Sequence, residues 1–265
     1  MKSHGMCNGG CLDADFNAVD KFCKAQLMII AHRGASAVAP ESTAVAIRAA
    51  VRAGAGMIEL DVQMTRDGRL VVFHDERLDR TTNGRGRLAR QSYARLARLD
   101  AGSWFHPRFT GERILLVSHA LRLIPSRVRV NLELKSTPRG DALVSAVRRL
   151  VRGVHRQGRV LISSFDATVL RLARSCGLPI ALIDGASGGV DADRALRRAI
   201  RLGCAAWHPS DRIVTCRRVL QAHAAGLRVR VWTVDERRRA RQLRRWGVDG
   251  IFTNDPARLR RGLSR

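Results

Sequence analysis

Short apolar runs alternate with amphipathic helical segments from Leu27 onward, and this alternation restricts the fold more than any other feature. Nine runs have the length and composition of strands: 27–32, 57–62, 69–74, 128–134, 159–163, 179–183, 204–208, 228–233 and 249–252. Six segments have helical periodicity: 41–53, 141–152, 166–175, 191–202, 215–225 and 235–246. Such alternation predicts an α/β fold with a parallel sheet covered by helices. The number of strands favours a closed (β/α)8 TIM-type barrel over an open sheet.

Two irregularities predict that the barrel is distorted. Only Gln63 to Gly68 separates the second and third strands, which is too short for a crossover helix and indicates a tight turn. Residues 75–127 contain the turn-prone sequence Thr81-Thr82-Asn83-Gly84, then a helical stretch near 91–99, and no complete strand–helix unit. We therefore expect this stretch to form an excursion over the barrel mouth.

The chain divides into a tail and one barrel domain. Residues 1–26 contain few apolar residues and no periodicity, which predicts a poorly ordered tail, and residues 27–265 form the predicted single domain. Three cysteines of the tail could hold zinc only with a fourth ligand such as His4: Cys7, Cys11 and Cys23. The chain lacks a recognisable secretory signal and a ~20-residue apolar stretch, so we expect a cytoplasmic protein with reduced thiols and no membrane span.

The charge balance is strongly basic, with 48 Lys and Arg against 23 Asp and Glu and a net charge of +25. Such a field attracts polyanions at low ionic strength. The arginines, however, are spread through the helical segments, whereas nucleic-acid-binding proteins usually cluster them on one face. Arginine-favouring codon usage explains this spread, so we expect no specific nucleic-acid partner.

Three carboxylates stand near the carboxyl ends of predicted strands, where (β/α)8 barrels place their reactive groups. Glu59 and Asp61 point to the same side because side chains alternate along a strand, and Glu133 ends the fourth strand. Three carboxylates at one mouth repel one another, and a hard divalent cation removes that repulsion. The alternative is a surface strand with charged residues, but Met57, Ile58, Leu60 and Val62 favour a buried one.

Two histidines and two cationic side chains accompany these carboxylates at the strand ends. His32 and His74 each stand beside a charged residue, and histidine exchanges protons near neutral pH. Arg33 and Lys135 supply fixed positive charge, which suits phosphate oxygens. A single histidine here would more often be a core residue, but this combination is typical of a phosphoryl-transfer site.

The sequence of residues 31–86, AHRGASAVAPESTAVAIRAAVRAGAGMIELDVQMTRDGRLVVFHDERLDRTTNGRG, resembles the signature of the glycerophosphodiester phosphodiesterase family. Later segments follow in the family's order: NLELK at 131–135, ISSF at 162–165, RVWTVD at 230–235 and DGIFTNDP at 249–256. The resemblance covers about residues 28–258.

This resemblance implies a distorted barrel like that of phosphatidylinositol-specific phospholipase C, and hydrolysis of glycerophosphodiesters to sn-glycerol 3-phosphate and an alcohol. It implies a divalent cation, Mg²⁺ or Ca²⁺, and a small-molecule substrate. Carried onto this chain, the implied roles are metal ligation by Glu59, Asp61 and Glu133, acid–base catalysis by His32 and His74, phosphate binding by Arg33 and Lys135, and a pocket wall from Trp232. Phe165 either lies near this pocket or packs in the core.

Three positions depart from the family pattern. Ser42 replaces a common asparagine, and we expect it to cap the following helix. Ser118-His119-Ala120-Leu121 lacks an acidic pair that the family often carries, which bears on the choice of leaving alcohol. Asp235 replaces another common asparagine, which we expect to be a mild change.

Two alternatives remain at this stage. A lysophospholipase D or sphingomyelinase D-like enzyme would use the same polar residues with an apolar acyl groove, and Trp104-Phe105 hints at one. A non-catalytic polyanion-binding barrel would leave His32 and His74 unexplained. For a phosphodiesterase, we expect His74 to be the acid, because the adjacent charge of Arg33 favours a neutral His32. The nucleophile is either water or the neighbouring glycerol hydroxyl.

Overall fold

The computed structural model describes residues 27–154, 157–185 and 192–263. The predicted tail at residues 1–26 lies outside the described residues, and so do the candidate zinc ligands within it. Eight parallel strands close into a barrel, because the first strand pairs with both the second and the last. The predicted TIM-type barrel is therefore confirmed.

The strands agree with the sequence prediction to within about two residues. In chain order they are Met28–Ala31 (β1), Met57–Met64 (β2), Leu70–Val72 (β3), Arg129–Leu134 (β4), Val160–Ser164 (β5), Ile180–Asp184 (β6), Ala206–Pro209 (β7), Arg228–Val231 (β8) and Gly250–Thr253 (β9). Strand β3 pairs antiparallel with β2 and is the distortion predicted from the short Gln63–Gly68 connection.

Helices follow the barrel strands and cover their outer faces. In chain order the α-helices are Ala44–Arg52 (α1), Tyr93–Leu96 (α2), Val117–Leu123 (α3), Gly140–Gly153 (α4), Ala167–Ser175 (α5), Ala192–Arg201 (α6), Cys216–Ala224 (α7), Arg237–Arg245 (α8) and Pro256–Leu263 (α9). Helices α3 and α9 are additions to the sequence prediction. None of the helices in the described ranges is long and apolar enough to cross a membrane.

The helix cap predicted at Ser42 is wrong. Thr43 is the N-cap of α1, and its hydroxyl accepts the amide hydrogen of Ala46. Ser42 has φ of +63°, in the left-handed region, and its backbone N–H donates to the carbonyl oxygen of Arg33 at 3.0 Å. Asparagine enters this region more readily than serine, which explains why asparagine suits the position.

The excursion after β3 has its own small hydrophobic core. Its members come from β3 and from the segment that follows it: Val71, Phe73, Leu78, Leu88, Leu96, Ala101, Ile114 and Leu116. A 3₁₀ turn at Leu88–Arg90 precedes α2, and another at Pro107–Phe109 lies between α2 and α3. Thus the stretch holds the loop that follows His74 against the barrel.

The register of the strands brings the polar residues together. Glu59 lies beside Asn131 and Asp61 beside Glu133 in the parallel pair of β2 and β4. On the other side of β1, Ala31 lies beside Thr253, so the next residues, His32 and Asn254, are neighbours. Apolar residues alternate with these polar ones and face the helices, which fixes the register, since a shift of one residue would bury the charges in the core.

Candidate active site

A cavity of about 180 Å³ opens at the carboxyl end of the barrel strands. Its lining includes both predicted histidines and two of the three predicted metal ligands: His32, Arg33, Glu59, His74, Asn131, Glu133, Phe165, Ile183, His208, Trp232 and Phe252. The remaining predicted residues, Asp61 and Lys135, contact Arg33 and Glu133 of this lining. The structure therefore brings all eight predicted site residues into one cluster.

The three predicted metal ligands form a compact carboxylate group. Glu59, Asp61 and Glu133 each offer one oxygen within 4.8 Å of the others, and Glu59 and Asp61 are 2% and 1% exposed. Burial, followed by the charges of Asp61 and Glu133, raises the pKa of Glu59 well above its ordinary value. At Glu59, burial and the two neighbouring carboxylates therefore outweigh the positive charges of Arg33 and Lys135.

Arg33 and Lys135 contact these carboxylates directly. Lys135 Nζ lies 2.6 Å from Asp61 Oδ1 and also contacts Glu133. Arg33 Nε lies 3.3 Å from Asp61 Oδ2, and its backbone N–H donates to Glu59 Oε2 at 2.8 Å. Burial works to raise the pKa of Asp61, but the charges of Lys135 and Arg33 outweigh it and lower that pKa.

The backbone at Arg33 is unusual, because φ is +57° for a residue with a side chain. Non-glycine residues in this left-handed region carry strain of order 1 kcal/mol, which other contacts must offset. Here the conformation aims the Arg33 amide at Glu59 and lets the side chain reach Glu41, whose Oε1 accepts from Nη1 at 3.0 Å. Strain of this kind clusters at functional sites.

His32 is held by an amide network. Its Nδ1 lies 2.8 Å from Asn254 Oδ1, while Asn254 Nδ2 donates to Asp235 Oδ2 at 2.7 Å. Since the Asn254 amide nitrogen faces a carboxylate, its oxygen faces His32, and Nδ1 must be the protonated ring nitrogen. Burial first, and then the charge of Arg33, lower the pKa of His32 to about 4. His32 is therefore a neutral imidazole at pH 7 with a lone pair on Nε2.

His74 has a carboxylate partner instead. Its Nδ1 lies 2.6 Å from Asp75 Oδ1, and Asp75 also accepts hydrogen bonds from Arg80. The Arg80 hydrogen bond is the main reason that the pKa of Asp75 falls to about 2. Burial lowers the pKa of His74, whereas the charge of Asp61 and the hydrogen bond to Asp75 act in the opposite direction. The net effect is a lowered pKa for His74, and the hydrogen bond to Asp75 acts against that shift.

An aromatic wall closes one side of the cavity. Trp232 Nε1 donates to the carbonyl oxygen of His208 at 2.9 Å, which fixes the indole. Phe165 stands edge-on to it, with ring centroids 5.8 Å apart, and is 50% exposed. The alternative in which Phe165 packs in the core is therefore wrong, because it lies at the cavity rim.

Several functional residues were missed by sequence reasoning. Asn254 holds His32. Its position directly after β9, the strand that pairs with β1, was a signal that could have placed it beside His32. Glu41 and Arg80 form a bridge over the mouth, with Arg80 Nη2 donating to Glu41 Oε1 at 2.7 Å. Asp235 accepts three hydrogen bonds from Thr253 and Asn254, so its exchange for asparagine touches the support of His32.

Comparison with known proteins agrees with this geometry. The model of the "Glycerophosphoryl diester phosphodiesterase family" matches residues 32–258. A glycerophosphodiester phosphodiesterase of Caldanaerobacter subterraneus subsp. tengcongensis is 36% identical over 239 residues, covering 88% of this chain and 96% of that protein. One from Bacillus subtilis is 32% identical over 248 residues, covering 87% of this chain and 84% of its own length.

Solved structures show the same architecture. The chain resembles an Oleispira antarctica phosphodiesterase, solved in complex with the product sn-glycerol-3-phosphate, with a TM-score of 0.83 and 30% identity. The match covers 93% of this chain and 99% of that one. With the family model matching most of the chain and curated relatives matching it along nearly their whole length, the chain belongs to the glycerophosphoryl diester phosphodiesterase family.

Proposed function

We propose that this chain hydrolyses glycerophosphodiesters to sn-glycerol 3-phosphate and an alcohol, using a divalent cation and paired histidines. One observation carries the proposal: three carboxylates that approach within 4.8 Å adjoin a cavity lined by two histidines whose hydrogen-bond partners differ. The names of the relatives and the product bound in the Oleispira structure support the substrate class.

The carboxylate group fits a hard divalent cation. Among the described residues, buried Glu59 Oε1 has no hydrogen-bond partner and Asp61 Oδ2 has only the ion-pair contact with Arg33 Nε at 3.3 Å. Burial without a partner is costly for a charged oxygen unless a cation contacts it. Glu59, Asp61 and Glu133 would hold Mg²⁺ or Ca²⁺, both of which prefer oxygen ligands. Such a cation polarises a phosphoryl oxygen and lowers the pKa of a bound hydroxyl.

His32 is the general base of the proposed reaction. Its Nδ1–H donates to Asn254, so Nε2 carries a lone pair that can take a proton from the attacking water or hydroxyl. A pKa of about 4 keeps this nitrogen unprotonated throughout the neutral range. Asp235 and Asn254 hold the ring in one tautomer, as the orienting group does in other acid–base pairs.

His74 is the general acid. The carboxylate of Asp75, 2.6 Å from Nδ1, stabilises the imidazolium that carries the proton for the departing alkoxide. Arg80 keeps Asp75 ionised and also bonds to Glu41, which holds the loop after β3 against the loop after β1. The proton is delivered from Nε2, because Nδ1 is engaged by Asp75.

Arg33 and Lys135 hold the phosphate. Both carry excess donors beside the carboxylate group, and a bound cation at the carboxylates would leave these donors available to phosphate oxygens. Trp232 and Phe165 form the wall beside which the alcohol departs. The proposal therefore gives every predicted site residue a contact with substrate or cation.

The test is release of sn-glycerol 3-phosphate from glycerophosphocholine. We expect turnover with Mg²⁺ or Ca²⁺, loss of turnover after chelation, and recovery when the cation returns. His32→Ala is compared with His119→Ala, which changes an exposed histidine of α3 outside the cavity lining. Full turnover in a metal-free sample, or equal loss in both variants, would contradict the proposal.

A second candidate is hydrolysis of lysophospholipids at the same site. Trp104 is 39% exposed, stands edge-on to Phe105 at 5.6 Å, and lies 5.9 Å beneath the guanidinium of Arg80, which bonds to Asp75. An exposed aromatic pair so close to the proposed acid could contact an acyl chain. Comparing kcat/KM for lysophosphatidylcholine and glycerophosphocholine separates the two, and Trp104→Ala lowers only the former if the aromatic pair binds lipid.

A further inference from the structure

The floor of the cavity contains two buried polar groups that the proposed chemistry does not use. His208 on β7 and Asn131 on β4 both line the cavity, and each is 1% exposed. His208 Nδ1 and Asn131 Oδ1 have no hydrogen-bond partner among residues 27–154, 157–185 and 192–263. Buried polar atoms are nearly always paired, so two unpaired atoms that border one cavity point to a ligand.

The neighbours of each residue define what these atoms can do. Arg230 Nη1 lies 3.4 Å from His208 Nε2, and a guanidinium can only donate, so Nε2 accepts and Nδ1 carries the proton. The ring of Phe252, with its centroid 5.0 Å from that of His208, packs against the imidazole. His208 therefore offers the cavity a hydrogen-bond donor.

Asn131 offers the complementary acceptor. Its Nδ2 donates to Ser163 Oγ at 2.8 Å, which fixes the amide and leaves Oδ1 as the unpaired atom. Strand register places Asn131 directly beside Glu59 and two residues before Glu133, so it adjoins the carboxylate group. One donor and one acceptor thus border the cavity next to the proposed phosphate site.

Hydroxyl groups match both atoms, because a hydroxyl can accept from a donor such as Nδ1–H and donate to an acceptor such as Oδ1. We propose that His208 and Asn131 form a subsite that binds the hydroxyls of the glycerol moiety and so selects glycerol phosphates over other alkyl phosphates. This inference rests on the proposed function and adds to it the residues that recognise the glycerol. An alkyl group in place of glycerol would leave both buried atoms unpaired, and such mismatches are strongly discriminated against.

The test is calorimetric measurement of Kd for sn-glycerol 3-phosphate and for propyl phosphate, which lacks both hydroxyls, with Mg²⁺ present. For the unmodified protein we expect propyl phosphate to bind at least about fivefold more weakly. In His208→Phe, which keeps a ring against Phe252 but removes the donor, the ratio of Kd for propyl phosphate to Kd for sn-glycerol 3-phosphate should fall more than threefold. His208→Asn restores a donor near the position of Nδ1 and should recover part of the ratio.

Two further variants complete the experiment. Asn131→Ala removes the acceptor and should also lower the ratio, which keeps the test open if His208→Phe does not fold. Ile183→Val changes an apolar residue of the same lining and should leave the ratio unchanged. The subsite would be overturned if the unmodified protein bound both ligands equally or bound neither. It would also be overturned if folded His208→Phe and Asn131→Ala kept Kd ratios within threefold of the ratio of the unmodified protein. Failure of the proposed function is distinguishable, because it appears as no glycerol phosphate released from glycerophosphocholine.

Discussion

Replacing Glu59 by glutamine should stabilise the protein without metal and remove its stabilisation by metal. Glu59 is 2% exposed, and the oxygens of Asp61 and Glu133 approach within 4.8 Å of it. At an effective dielectric constant of about 20, each such carboxylate pair repels by about 3 kcal/mol. Arg33 and Lys135 offset part of this, but the raised pKa of Glu59 shows that burial and repulsion prevail.

The expected gain for Glu59→Gln in metal-free buffer at pH 7 is on the order of 1–3 kcal/mol, up to the size of one such carboxylate repulsion. Each kcal/mol corresponds to roughly 2–4 °C in Tm for a domain of this size. With cation the advantage of the variant should shrink by about 2.7 kcal/mol, because ligand at about 100 times its Kd stabilises the unmodified protein alone by that amount. Glu76→Gln is the control, since Glu76 is 66% exposed and pairs only at the surface with Arg87.

The stability difference between Glu59→Gln and the unmodified protein should depend on pH with a definite sign. Because the folded state raises the pKa of Glu59, the unmodified protein loses stability relative to Glu59→Gln as pH rises above the ordinary carboxyl value of 4.5. Below that value the carboxyl is protonated in both the folded and unfolded states, and the difference becomes constant. Chemical denaturation in the presence of chelator from pH 4 to pH 8 measures this difference in the free energy of unfolding. A variant less stable than the unmodified protein at pH 7, or a difference that shrinks as pH rises, would refute the reasoning.

Three further predictions concern the supports of the site. Activity on an aryl phosphodiester should fall as pH drops through about 4, because His32 must be unprotonated to act as the base; a limb near 6.5 would contradict this. Asn254→Ala should lower kcat roughly 10- to 100-fold with folding intact, since His32 loses its orienting partner, and kinetics showing only a KM change would argue otherwise. Ser42→Asn should raise the stability by about 0.5 kcal/mol in thermal melting, because asparagine tolerates φ of +63°; a lower Tm would show that crowding prevails.

The barrel could be predicted from the sequence because its signals are local. Apolar runs of period two, helical segments and the short Gln63–Gly68 connection are read within a few residues of one another, and all nine strands follow them. The carboxylate group was predictable for the same reason. Alternation places Glu59 and Asp61 on one face, and the carboxyl ends of parallel strands share one mouth.

The contacts around the histidines were not predictable, because they join distant loops. Asn254 reaches His32 only once the last strand closes on the first, 222 residues apart in sequence. The bridge of Arg80 to Glu41 depends on the paths of two loops that no periodicity describes. Ser42 was assigned as the helix cap because serine favours that position in general. Its positive φ follows from the turn that delivers Arg33 to Glu59, which is a property of the folded site.

The dependence of the rate on the leaving group tests most directly whether His32 is the base and His74 the acid. His32→Ala and His74→Ala should each lose at least ~10²-fold in kcat with glycerophosphocholine, and the double variant should be little worse than the worse single variant. A glycerophosphodiester with a 4-nitrophenyl leaving group needs little protonation, so it should restore most of the rate to His74→Ala and little to His32→Ala. Rescue of His32→Ala instead, or of neither variant while metal binding is intact, would contradict the assignment.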